Sequence, residues 1–166
     1  MEISNLPLRF RPLPAPLPDL DHLDDLPPGA YQRVVADAPN AYPCRRCLRD
    51  AGPGDGLLLV SYDPFLGDSP YRQAGPIFVH ARACSPDPLD LVRAPEQLLR
   101  RQLSVRGFDA GHRQVRTAVI DGADVEAVSR RILSDPSVTY VHVHNAAPGC
   151  FAVRVEHAGD AEGSPK

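Results

Sequence analysis

The chain has 166 residues, 43% of them apolar and 23% charged, proportions that suit one water-soluble globular domain with a real core. No run of eighteen or more apolar residues is present, which argues against a membrane span. A net charge of −3 argues against a general nucleic-acid binder, whose phosphate contacts need a basic surplus.

Met1 to Phe10 lack a basic start followed by an apolar stretch, so no secretory signal is read there and a cytoplasmic location is expected. Residues 1–30 carry too many prolines for a long helix or a central strand. They are expected to form an extended arm on the body, anchored by Leu8, Phe10 and Leu13. Residues 31–38 suit an edge strand or a short helix, and a turn-rich stretch follows. "LLLVSY" (57–62) predicts a strand covered on both faces, and "PIFVHA" (76–81) a second strand across a loop. Pro95 opens a short helix over about 95–103, and "QVRTAVI" (114–120) is a third strand.

The main helix is predicted over 123–134. Asp121 or Asp124 can cap it, Val125, Val128 and Ile132 form one stripe, and Asp135 and Pro136 end it. A β-hairpin follows, 138–144 and 150–156, joined by "NAAPG", with a flexible tail at 158–166. Strand, helix, strand, strand predicts an α+β fold with a mixed, largely antiparallel sheet in a single domain over 1–157. Seven arginines against four acids between Arg82 and Arg116 read as a solvated basic face, since Lys166 alone among eighteen basic residues is not arginine.

The hairpin holds the most chemistry. Strand alternation puts Tyr140, His142 and His144 on one side, with Cys150, Ala152 and Arg154 matching them across the loop. The register that keeps apolar and polar faces apart sets His144 opposite Cys150, His142 opposite Ala152, Tyr140 opposite Arg154, and Val143 opposite Phe151. Opposed β-carbons start about 4.5–5.5 Å apart, so His144 could act as base for a nucleophilic Cys150. His142, Asn145, Tyr140 and Arg154 would then line a ligand pocket. Arg72, between a proline and a glycine, could clamp the carboxylate or phosphate of an anionic small molecule, or pair with Asp63 or Asp68. His142 and His144 could instead share a metal ion with Cys150 or His80 as third ligand. The structural alternative is that both rings only hydrogen-bond to neighbours, the thiol packs, and Asn145 closes a turn.

Four cysteines in a cytosolic chain are expected to be reduced. Cys44 and Cys47 form C-x-x-C in "YPCRRCLRD", but "AGPGDG" follows and removes the helix a thioredoxin-type pair needs. A structural zinc needs a second pair, and "HARAC" offers His80 and Cys84. The simpler reading is that Pro43 and Cys44 close a turn.

"YPCRRCLRDAGPGDGLLLVSYDPF", "SPYRQAGPIFVHA", "LSVRGFDA" and "ILSDPSVTYVHVHNAAPGCFAVRV" resemble the bacterial domain-of-unknown-function family 1203, over about Leu6 to Val155. The resemblance implies a class without a mechanism. In its pattern His142, His144, Asn145, Gly149 and Cys150 match, as do Pro43, Cys44 and Arg45. The positions of Cys47 and His80 need not be cysteine and histidine, which ranks the four-ligand zinc site behind the hairpin.

Three functions are thus expected in order. The first is a small-molecule-binding or catalytic pocket on the His/Cys face of the hairpin. The second is a metal-binding protein, carrying zinc or another transition metal such as iron or copper. The third is a non-enzymatic interaction module, which would show a flat apolar patch.

Overall fold

The computed structural model describes residues 5–13 and 22–159. Most of the expected tail (160–166) and the middle of the proline-rich arm (14–21) lie outside these residues.

Among these residues, eight strands and two α-helices, besides short 3-10 turns, follow in chain order: β1 (Leu8–Arg11), β2 (Tyr31–Val35), β3 (Gly56–Tyr62), β4 (Gly75–His80), α1 (Glu96–Leu99), β5 (Gln102–Phe108), β6 (Gln114–Asp121), α2 (Val125–Leu133), β7 (Tyr140–Asn145) and β8 (Phe151–His157). The fold is α+β. The strands form two sheets, one ordered β1-β8-β7-β5-β6 and the other β2-β3-β4, and every strand pair is antiparallel. The predicted crossover exists: β6 leads through α2 to β7. No parallel pair results, because β5 lies between them and runs against both.

That intervening strand was hidden in the sequence. The segment expected to extend a helix to about 103 leaves it at Leu99, and Gln102 already opens β5. Its buried residues Leu103 and Val105 belong to the large core, and this packing outweighs the helical preference of "EQLLRRQL". β1 is the anchored arm: Leu8, Phe10 and Leu13 are all buried, and Pro7 and Pro12 flank a strand at the sheet edge, where a missing N–H costs least.

α2 lays Val125, Val128, Ile132 and Leu133 on one face of the large sheet, against Val105, Val141, Val143, Val153 and Val155. Glycine at position 107 permits this approach, since a β-carbon there would meet Ile132 Cγ2 at 2.6 Å. A second core, with Leu58, Val60, Ile77 and Val79 from the small sheet, reaches the other side of the large sheet through Phe151. All six residues of β7 are therefore buried, although its sequence alternates apolar with polar. Among the described residues, no helix is long and apolar enough to cross a membrane.

Candidate metal centre

The turn at 43–50 hangs between the two sheets. Cys44 N–H donates to Arg49 O at 2.9 Å, Leu48 N–H to Cys44 O at 3.1 Å, and Arg45 N–H to Phe78 O at 3.0 Å, which pins the turn to β4. β4 ends at His80, and the chain then brings Cys84 back towards the turn. Cys44, Cys47, His80 and Cys84 each present one ligand atom, and those four atoms lie within 4.8 Å of one another. This cluster could hold a metal ion. Cys44 Sγ is 3.7 Å from Cys84 Sγ, and Cys47 Sγ is 3.5 Å from His80 Nδ1.

The surroundings prepare these atoms for a cation. His80 N–H donates to Cys44 Sγ at 3.3 Å. A hydrogen bond from Cys47, with help from that backbone N–H, draws the pKa of the Cys44 thiol down from its ordinary value. The same bond, with burial, pushes Cys47 up, and burial beside Cys44 pushes Cys84 up. One thiolate thus stands ready, and a metal would replace the protons on the other two. His80 Nε2 lies 3.3 Å from Asp55 Oδ2, which leaves Nδ1 facing the sulfurs. All four cysteines are free thiols.

The hairpin differs from its predicted register. His142 pairs with Arg154, Val143 with Val153, and His144 with Phe151, so Ala152 is an extra residue bulged out of the ladder. The bulge turns Phe151 onto the histidine side, where it fills the second core, and puts Ala152 into the first. His144 accordingly faces Phe151 and not Cys150. Burying a large ring between two sheets outweighs the face-matching that the isolated hairpin suggests.

On the histidine face, the His142 position is closed. His142 is 0% exposed. Its ring is boxed by Phe65, Phe108, Tyr140 and Phe151 at centroid distances of 5.0–5.2 Å, and neither nitrogen has a partner. Burial, with the nearby His144, Arg154 and Arg106, holds it neutral, well below the usual histidine range. The Tyr140 hydroxyl and His112 Nδ1 share a hydrogen bond at 3.0 Å, and burial pushes the Tyr140 pKa up to about 12. Arg154 pairs with Glu156 at 2.6 Å. Arg72 is held by Asp63 and Asp68, both at 2.6 Å, which is the ion pairing given as the alternative to an anion clamp. Among the described residues, the group of three or more metal-ligating side chains is the Cys44 cluster, and neither His142 nor His144 is in it.

Cys150 sits apart from the imidazoles in hydrogen bonding. Its Sγ accepts from Arg45 Nη2 at 3.2 Å and from Asn145 Nδ2 at 3.5 Å. Arg45 also donates through Nε to Phe151 O at 2.8 Å and through Nη1 to Pro43 O. The first of the two residues between the cysteines of the C-x-x-C thus reaches the other sheet. The sequence points to Arg45 only as part of the matching Pro43-Cys44-Arg45 stretch and to Asp55 not at all, because nothing in local spacing points to their partners Cys150 and His80 so far along the chain.

The family model described as "Protein of unknown function (DUF1203)" matches residues 41–157, and the chain belongs to that family. The matched span includes all four residues of the cluster and the whole hairpin. No curated protein and no solved structure matches the chain.

Proposed function

We propose that this DUF1203 protein is a zinc protein whose Cys3His centre is structural. The metal would fasten the 43–50 turn to the end of β4 and so hold Arg45 against the C-terminal hairpin. Ligand spacing carries this reading. Ligands on one tetrahedral zinc, with Zn–S of about 2.3 Å and Zn–N of about 2.0–2.1 Å, stand ~3.8 Å apart for two sulfurs and ~3.6 Å for sulfur and nitrogen. The distances of 3.7 Å (Cys44 to Cys84) and 3.5 Å (Cys47 to His80) match both values.

Three thiolates and an imidazole are soft donors that favour zinc over calcium or magnesium. Four protein ligands leave no open position for a substrate, which separates a structural zinc from a catalytic one. Asp55 beside His80 Nε2 supplies the carboxylate that orients a metal-bound imidazole. The test is elemental analysis of protein purified under reducing conditions. One equivalent of zinc, lost in Cys44→Ser and Cys84→Ser, is expected. Less than about a tenth of an equivalent in the wild type, even after reconstitution with zinc, would overturn the reading.

A further inference from the structure

His144 Nδ1 lies 2.9 Å from Gly149 O. A carbonyl only accepts, so the ring proton is on Nδ1 and the neutral ring presents a bare acceptor at Nε2. Burial, opposed by the Gly149 bond, and then the charges of Arg106 and Arg45, bring the ring down to about 4 and keep it neutral. His144 is 3% exposed, and its Nε2 is buried with no partner. Asn145, 6% exposed, repeats the pattern: Nδ2 donates to Cys150 Sγ, while Oδ1 is buried without a partner. Both orphans are acceptors. Buried polar atoms in proteins nearly always find partners, so two neighbouring orphans of one kind call for an explanation.

A cavity supplies one. About 230 Å³ lies beside His144 and Cys150, walled by Tyr62, Phe65 and Phe151, with Gln73 among its lining residues. At ~30 Å³ per water, that is room for roughly seven waters, or one molecule of a few heavy atoms. Asn145 and Cys150 also line a second cavity of about 410 Å³ together with Arg45.

We propose that the cavity beside Cys150 binds a small uncharged molecule carrying an N–H or O–H donor, such as a primary carboxamide, which donates to His144 Nε2 and sets its neighbouring carbon against Cys150 Sγ. A simple carboxylate such as acetate has only acceptors to offer an acceptor. A cation would meet the charges of Arg45 and Arg106. The site goes beyond the metal centre and touches none of its ligands.

Alkylation of Cys150 tests this. With iodoacetamide, an S–C bond forms as the C–I bond breaks, iodide leaves with the bonding pair, and the thiol proton passes to solvent. The rate at residue 150 is read by peptide mass spectrometry for iodoacetamide and for iodoacetate, and their ratio is compared with that for glutathione. In the wild type the iodoacetamide rate should saturate, excess acetamide but not acetate should protect, and the ratio should exceed that of glutathione by about tenfold, the worth of one hydrogen bond. His144→Phe should return the ratio to the glutathione value. A wild-type ratio equal to that of glutathione, or no protection by acetamide, would overturn the proposal. If His144→Phe does not fold, acetamide protection of the wild type decides alone. Zinc is measured in the same preparation, so the metal reading and this one fail separately.

Discussion

Arg45 Nη2 lies 3.2 Å from Cys150 Sγ, and this contact joins the cysteine turn to the hairpin of the other sheet. Arg45 is 1% exposed, and the partners of its guanidinium are two carbonyls and a sulfur. Burial lowers its pKa, with Cys150 the largest opposing influence. Arg45→Ala should therefore cost about 2–4 kcal/mol in urea unfolding, from lost packing and from orphaned carbonyls. Arg45→Lys should recover little, because an ammonium on a flexible stem cannot serve three acceptors placed for a planar fork. Full recovery by lysine would mean that charge alone matters.

Metal removal is expected to loosen the turn before the large sheet. Chelation should lower the melting temperature, and zinc should restore it; a loss of about 3 kcal/mol corresponds to roughly 6–12 °C at this chain length. Hydrogen exchange should rise at Arg45 and Leu48, whose N–H groups hold the turn, and stay low in β7. A chelator that leaves both readouts unchanged would contradict a structural metal.

Asp55→Asn should preserve the fold and weaken the metal. Asp55 is itself held low, first by the Gly52 backbone N–H and then by His80, so it stands as a carboxylate beside the ring. Losing that charge should reduce zinc affinity about 10- to 100-fold in competition with a chromophoric chelator, with little change in the circular dichroism. Equal affinity would remove Asp55 from the site.

Stability should fall on acidification, for a stated reason. His142 and His144 are neutral in the fold with pKa values lowered from 6.5, that of His144 to about 4. Between these values the unfolded chain binds more protons than the folded one, so stability rises with pH across roughly 4 to 6.5 and is lost as pH drops through that window. His144 alone accounts for roughly 3 kcal/mol of this dependence. Subtracting the curve of His144→Phe from that of the wild type cancels the acid sensitivity of the metal. A flat difference would show that the ring is not buried neutral.

Gly107→Ala should cost about 1–3 kcal/mol, because the new methyl would press on Ile132 of α2. Trimming the neighbour in Gly107→Ala/Ile132→Val should return part of it in thermal melts. An additive double variant would place the strain elsewhere.

Much of the fold was legible. Val125, Val128 and Ile132 marked the buried stripe of α2, and the alternation of 140–144 marked a strand with two unlike faces. Leu8, Phe10 and Leu13 announced an arm that packs. β5 was not legible, since "EQLLRRQL" passes from helix to strand without a proline or glycine to mark the change. The members of the Cys3His cluster were visible as C-x-x-C and "HARAC", but their convergence was not, because the Cys44–Cys84 meeting spans 40 residues and rests on β4 lying beside the turn.

Local pattern alone established the α+β class, the paired histidines on one side of β7, and the two halves of a Cys3His cluster that could hold a metal ion. Only tertiary packing decided that the small sheet and the Phe65 loop cover those histidines, that a bulge at Ala152 brings Phe151 and not Cys150 to His144, and that Arg45 reaches Cys150. Side-chain period reports which residues share a face. What is pressed against that face depends on contacts between distant segments, whose closure entropy and buried area no short window of sequence contains.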